Sequence, residues 1–360
     1  MNFRAISYYL GLFSLPVSLL AFINILYSSY FDYFLSINSY IITLIISLVA
    51  GLSLVTIGRK SKKKINFIEQ LILILLVYFL VSILVSVPYY LSNYQVTFIN
   101  SIFESVSGLT GTGFTIFGNI KYLDPTLIIW RSSSQWIGGL YFLIFLIIIF
   151  SNKQFSFKMN ELTFSGDGSV RSENNIKSLL LQIFILYSIL SFIIFLLLNF
   201  SNVRMFNSLN LSMSLISTGG FLPTNSLNKI ILSNFKKIIF IFSLLISMLN
   251  FFLILNIFKK KVLVREHKED LYIVFFATIF ILLVYFHDNS GLDIIIGVLS
   301  SLSNSGLSLI NSSNNLNLYF LLIACVGGSL ISNTSGIKLA RFYILIKTTS
   351  AEIIKLISPN

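Results

Sequence analysis

The chain has 360 residues, of which 56% are hydrophobic and 11% charged, with a mean hydropathy of +0.88. A soluble domain carries about a quarter charged residues, so these values exclude a soluble enzyme, a disordered chain and a disulfide-built secreted scaffold, and leave a polytopic membrane protein. The 25 basic residues against 13 acidic ones give a net charge of +12, which in a membrane protein points first to loops on one side of the bilayer and not to nucleic acid.

A spanning helix needs about 20 predominantly apolar residues. In chain order eight stretches qualify: 5–30, 37–58, 66–91, 126–150, 177–200, 235–258, 270–287 and 316–349. The first is read as a retained helix and not as a signal peptide, because only Arg4 precedes it and no small-residue cleavage site follows. Every second connection is basic. Arg59, Lys60, Lys62, Lys63 and Lys64 follow the second stretch, and Lys153, Lys158, Arg171 and Lys177 follow the fourth. Lys259, Lys260, Lys261, Arg265 and Lys268 follow the sixth, and Lys338, Arg341, Lys347 and Lys355 lie at the C-terminal end. These clusters place the N-terminus and alternate loops in the cytoplasm. The other side holds only Lys121, Arg131, Arg204, Lys229, Lys236 and Lys237.

Three outer connections, 92–125, 201–234 and 288–315, are long and only moderately apolar. Each begins as a weakly amphipathic helix and ends in hydroxyl residues and glycine: SVSGLTGTGF (Ser105 to Phe114), SMSLISTGGF (Ser212 to Phe221) and LSSLSNSGL (Leu299 to Leu307). Thr112-Gly113, Thr218-Gly219 and Ser305-Gly306 are matched as the shared core. The chain thus contains three copies of span, re-entrant segment, span, a type of internal repetition found in transporters. Non-helical backbone at membrane depth must be buried in protein or line a water-filled cavity. Several such loops around one axis present carbonyl oxygens able to replace the hydration shell of a cation, and each short helix aims its partly negative C-terminus there. For any single stretch, small residues packing two helices closely is the alternative; threefold recurrence at the same place favours the re-entrant reading. The filter candidates are Thr110, Gly111, Thr112, Gly113, Ser217, Thr218, Gly219, Gly220, Asn304, Ser305 and Gly306. The last apolar run is interrupted by Gly327, Gly328, Ser329, Asn333, Thr334, Ser335 and Gly336, where a helix break lining the pathway is expected, with a packing kink as the alternative.

Other chemistry-bearing residues are few. Glu104 lies at membrane depth and either attracts cations or braces the first loop. Asp288 and Asp293 are read as a solvated cap at the outer mouth, with an ion-attracting vestibule as the alternative. His267 and His287 lack metal-ligand partners, Gly166-Asp167-Gly168 reads as a turn, and Cys325 is the single cysteine. There is no nucleotide-binding glycine motif, no nucleophile constellation and no paired carboxylates, so no enzyme is expected.

The motifs resemble the Trk/Ktr/HKT superfamily of potassium transporters, its TrkH branch most closely. FESVSGLTGTGFT (Phe103 to Thr115) resembles the first pore loop, WRSSSQWIGG (Trp130 to Gly139) the start of the next helix, SLISTGGF (Ser214 to Phe221) the second filter, and GGSLISNTSGIKLARF (Gly327 to Phe342) the break in the third inner helix. The resemblance implies an all-α integral membrane protein: two leading helices (1–64) and three repeats of membrane-spanning helix, re-entrant pore helix and membrane-spanning helix (65–152, 170–262 and 268–360). It implies potassium uptake across the bacterial inner membrane by a channel-like path. The filter carries one glycine per repeat, matched here by Gly113, Gly219 and Gly306, and residues 327–336 form the gate. Potassium is then substrate, and no tightly bound cofactor is expected. Expected partners are membrane lipid, a second identical subunit and a cytosolic nucleotide-binding regulator.

Two departures from the family stand out. The family has four repeats, whereas the chain ends at Pro359-Asn360 after the third. It is therefore a fragment, a chain completed by a separate fourth repeat, or a non-conducting subunit acting as an assembly partner. T-V-G-Y-G is absent, and the third loop has Asn304 and Ser305 in place of threonine, so looser selectivity with sodium permeation is expected.

Overall fold

The computed structural model describes residues 2–33, 36–60, 65–150, 173–258, 268–285, 291–309 and 314–357. Lys62, Lys63, Lys64, Lys153, Lys158, Gly166, Asp167, Gly168, Arg171, Lys259, Lys260, Lys261, Arg265, His267, His287 and Asp288 lie outside the described residues. The helices are α1 (Phe3–Tyr30), α2 (Ile37–Gly58), α3 (Phe67–Tyr90), α4 (Phe98–Thr110), α5 (Pro125–Phe150), α6 (Glu173–Phe200), α7 (Met205–Ile216), α8 (Asn234–Met248), α9 (Phe251–Phe258), α10 (Lys268–Tyr285), α11 (Gly291–Ser303), α12 (Asn314–Val326) and α13 (Leu339–Ile357). No strand occurs among the described residues. This is an all-α membrane-protein architecture.

Among the described residues, five helices are long and apolar enough to cross a membrane: α1, α2, α3, Pro125–Ile149 of α5 and Ser178–Phe200 of α6. The other three expected spans are built differently. The stretch 235–258 is two helices, α8 and α9, broken at Leu249-Asn250; the described part of 270–287 lies in the 18-residue α10, with Glu269 and Asp270 in its first turn; and 316–349 is α12 and α13 with an irregular segment between them.

The chain forms two compact units, Met1–Asn152 with Arg204–Ser226, and Lys153–Val203 with Leu227–Asn360. In the first, α1 and α2 cross closely on small residues: a Cβ at Gly11 would lie 2.6 Å from the Gly51 carbonyl, and one at Gly58 would lie 2.4 Å from that of Arg4. The N-terminus of α3 is closed by a capping box, in which Glu69 accepts from the Asn66 amide at 2.8 Å and also from the amide of Asn2. Pro125 starts α5, where its missing N–H costs nothing. Val77, Val81 and Leu84 of α3 and Leu127, Trp130 and Tyr141 of α5 share one core, and the Trp130 indole donates to the Val85 carbonyl at 3.0 Å.

In the second unit, α6 buries Ile183, Leu186, Tyr187, Leu190, Ile194 and Leu198 at helical spacing. Phe184, Ile189, Phe192 and Leu196 remain exposed on its other faces, as expected of a helix that borders hydrocarbon. The helix pairs α8–α11 and α11–α12 pack the third short helix against its neighbours.

Candidate functional site

The short helices α4, α7 and α11 end in one way. Gly111, Thr218 and Asn304 have φ of 68°, 54° and 58°. Their amides donate to the carbonyls three residues back, those of Gly108, Leu215 and Ser301, at 3.1, 3.0 and 3.1 Å. The next amides donate to the carbonyls of Ser107, Ser214 and Ser300 at 3.0, 2.8 and 3.0 Å. These two bonds define the Schellman closure of a helix. Two residues further on, φ is positive again at Gly113 (79°), Gly220 (78°) and Gly306 (66°). In all three loops φ changes sign residue by residue, a backbone course that lets carbonyls of a non-helical chain share a direction. The match made from sequence is corrected at one position: the conformational counterpart of Gly113 and Gly306 is Gly220, not Gly219. Gly219 is needed for space, because a Cβ there would lie 2.4 Å from the side chain of Gln135.

Within the first unit the first two loops touch. A Cβ on Gly113 would approach the Gly219 carbonyl to 2.5 Å, and one on Gly111 would lie 3.5 Å from that of Ser217. The Thr110 hydroxyl lies 2.7 Å from that of Thr112, and the Ser217 hydroxyl donates to the Met213 carbonyl at 2.8 Å. Helix α5 grips both loops. The Arg131 Nε donates to Glu104 at 2.8 Å and its Nη2 to the Thr115 hydroxyl at 3.0 Å, with both charged side chains buried. Glu104 also accepts from the Thr115 hydroxyl and the Ile116 amide, each at 2.9 Å. The guanidinium stacks 4.2 Å above the Phe221 ring. One turn on, the Gln135 Nε2 donates to the Gly219 carbonyl, and its Oε1 accepts from the Phe221 amide at 3.2 Å.

Of the two roles open to Glu104, the geometry supports the brace: its charge is neutralised by Arg131 and its oxygens are occupied by the loop. Arg131 itself was counted from sequence as an outer-side charge; it is a buried tie. Asp293, partly exposed in the first turn of α11, pairs with Lys237 at 2.6 Å.

In the second unit, the Asn304 side chain donates to the Ala324 carbonyl at 3.1 Å, and Ser305 lies 3.1 Å from the hydroxyls of Ser300 and Ser303. A Cβ on Gly306 would meet open space. The segment between α12 and α13 leaves the helix at Gly327 (φ 72°) and returns at Gly336 (φ 88°). The amides of Ile337 and Lys338 donate at 2.9 Å to the carbonyls of Cys325 and Val326, which satisfies the end of α12. The Gly328 amide donates to Thr334 Oγ1 at 3.2 Å. Ser332 and Thr334 share a hydrogen bond at 2.8 Å, and Ser329 is buried. The segment also docks on the break between α8 and α9: the Ser329 amide donates to the Met248 carbonyl at 3.3 Å, and the Phe251 amide donates to the Ile331 carbonyl at 2.9 Å. Glu269 accepts from the Leu330 amide at 2.7 Å, and Asp270 from the Asn250 amide at 3.0 Å.

Lys338 was grouped from sequence with the C-terminal basic cluster. Instead it is buried, and its ammonium donates to the Ser332 carbonyl at 3.2 Å, to Thr334 Oγ1 at 2.9 Å and to the Thr334 carbonyl. The signal for it was its position two residues after Gly336 inside an apolar run. Gln135 carried a weaker signal, as an amide one turn after Arg131 in an otherwise apolar and hydroxyl-bearing helix.

The sequence profile of the family described as TrkH, cation transport protein, matches residues 36–286. An uncharacterized cation transporter of Methanocaldococcus jannaschii is 27% identical over 298 residues, covering 79% of this chain and 60% of that protein. The Trk system potassium uptake protein TrkG of Escherichia coli is 25% identical, with 84% of this chain and 66% of that protein covered. For the Escherichia coli TrkH the identity is 26%, with 88% and 70% covered. The chain thus spans about three fifths to two thirds of the length of the first two relatives. The crystal structure of the potassium transporter TrkH from Vibrio parahaemolyticus superposes with a TM-score of 0.84 at 20% identity, covering 100% of this chain and 78% of that one, so the two share a fold. With its profile matched across more than half its length, the chain belongs to the TrkH family of cation transport proteins.

Proposed function

We propose that the protein carries monovalent cations, potassium first, across the bacterial inner membrane, with its N-terminus in the cytoplasm. The loops at 110–113, 217–220 and 304–306 coordinate the ion, and residues 327–336 gate the path. The observation that carries this reading is the shared backbone of the three loops. Each follows a Schellman-capped short helix, and each has positive φ on alternate residues. A chain required only to pack helices has no need of that conformation three times, least of all at Thr218, where a β-branched residue is strained. The relatives whose names state potassium uptake support the choice of ion. Carbonyls can replace a hydration shell without any change of protonation, so potassium enters as substrate and no resident cofactor is required. The third loop, with Asn304 and Ser305, relaxes selectivity and admits some sodium. The same reading includes a second identical subunit and a cytosolic nucleotide-binding regulator.

The test is growth of a potassium-uptake-deficient bacterial strain on limiting potassium, expressing the gene with and without its downstream neighbours. Rescue with measurable potassium uptake supports the reading. A membrane-inserted protein that supports no cation flux in either setting overturns it in favour of an assembly subunit. Equal sodium and potassium uptake would support loose selectivity, and strict potassium uptake would remove it.

A further inference from the structure

Helix α5 presents Arg131, Ser134, Gln135 and Gly138 at positions i, i+3, i+4 and i+7, one stripe of a helix. All four point into the re-entrant elements. Arg131 ties Glu104, a Cβ on Gly108 would lie 2.5 Å from Ser134, and one on Gly138 would lie 2.0 Å from the Leu109 carbonyl. Gln135 differs from the others in binding main chain at both ends of its amide. It donates a hydrogen bond to the Gly219 carbonyl and accepts one from the Phe221 amide, as a neighbouring peptide group would, and it is fully buried. The same Gly219 carbonyl is the atom that the backbone of Gly113 packs against. One side-chain amide therefore fixes the direction of a carbonyl in the second loop and its spacing from the first.

We propose that Gln135 is a positioning residue for ion selectivity. By holding the Gly219 carbonyl toward α5 and the first loop, it withdraws that oxygen from the ion and sets the direction of the carbonyls of Thr218 and Gly220 on either side. This rests on the reading of the loops as cation-coordinating. A loop held by a rigid buried amide keeps one spacing of oxygens; a loop released from it adapts to a smaller ion.

The test compares potassium and sodium uptake by Gln135→Glu and Gln135→Leu with the parent protein, in the same cells and with membrane abundance measured. An ionised glutamate keeps the shape and the acceptor but loses the donor, whereas leucine loses both in any protonation state. Both variants should lower the potassium-over-sodium ratio, by roughly tenfold for each buried hydrogen bond lost. Ser133→Ala, whose hydroxyl donates within α5 to the Trp130 carbonyl, should leave the ratio unchanged. Gly219→Ala supplies an independent arm, because its Cβ collides with Gln135. The single variant should lose flux, and Gln135→Ala in the same chain should restore flux without restoring the ratio. Parental ratios in both Gln135 variants, or purely additive effects of the Gln135 and Gly219 changes, would overturn the proposal. A parent protein that takes up neither ion overturns the underlying reading instead.

Discussion

At the scale of single residues, the first loop is held by an ion pair that water does not reach. Removing one partner of a buried pair leaves the other charge uncompensated, at a cost of roughly 3–5 kcal/mol. Arg131→Met and Glu104→Gln should each lower thermal stability in detergent by that order, and the double variant should recover part of the loss; additivity of the two would show that the pair is not coupled. The glycines of the loops make a second contrast. Gly113 and Gly306 occupy equivalent places with φ of 79° and 66°, so alanine at either incurs about 1–2 kcal/mol of left-handed strain. Only at Gly113 would the added methyl also meet a backbone oxygen, at 2.5 Å. Gly113→Ala should therefore abolish uptake where Gly306→Ala weakens the protein without abolishing it, as measured by flux and melting temperature. The loops themselves were legible because glycine and hydroxyl residues stood where an apolar chain should have continued. The identity of their braces was not, since Arg131 lies 27 residues from Glu104 and Gln135 lies 84 from Gly219.

At the scale of elements, the two broken helices explain each other. The break at 327–336 announced itself through three glycines and a run of polar residues. The break at Leu249-Asn250 did not, because one asparagine in an apolar run scarcely lowers hydropathy. It exists because the Asn250 amide finds Asp270 and the Phe251 amide finds Ile331, partners that no local pattern contains. Glu269 serves the other side of the same junction by accepting from the Leu330 amide. Glu269→Ala should leave that amide unsatisfied and destabilise the junction by about 1–3 kcal/mol, with faster hydrogen exchange at Leu330. Glu269→Gln, which retains an acceptor, should keep most of the protection; equal exchange in both variants would show that the carboxylate is not the tie.

At the scale of the whole molecule, hydropathy located five spanning helices among the described residues, and the basic clusters predict an orientation with Arg59 inside and Lys121 outside. Both positions are exposed. In a Cys325→Ser background, Lys121→Cys should react with a membrane-impermeant maleimide in intact cells, and Arg59→Cys only after permeabilisation; the reverse pattern would invert the topology. The family was legible for the same reason as the loops, since its motifs are the places where membrane chemistry forbids ordinary sequence. The Schellman closures carry one more consequence. From Ser107 to Phe114, Ser214 to Phe221 and Ser300 to Leu307, three different strings of letters fill a mould of identical length. What the copies have in common is a count of peptide units, not a vocabulary, so exchanges of side chain are graded in effect while insertion or loss of a single residue shifts every carbonyl beyond it out of phase.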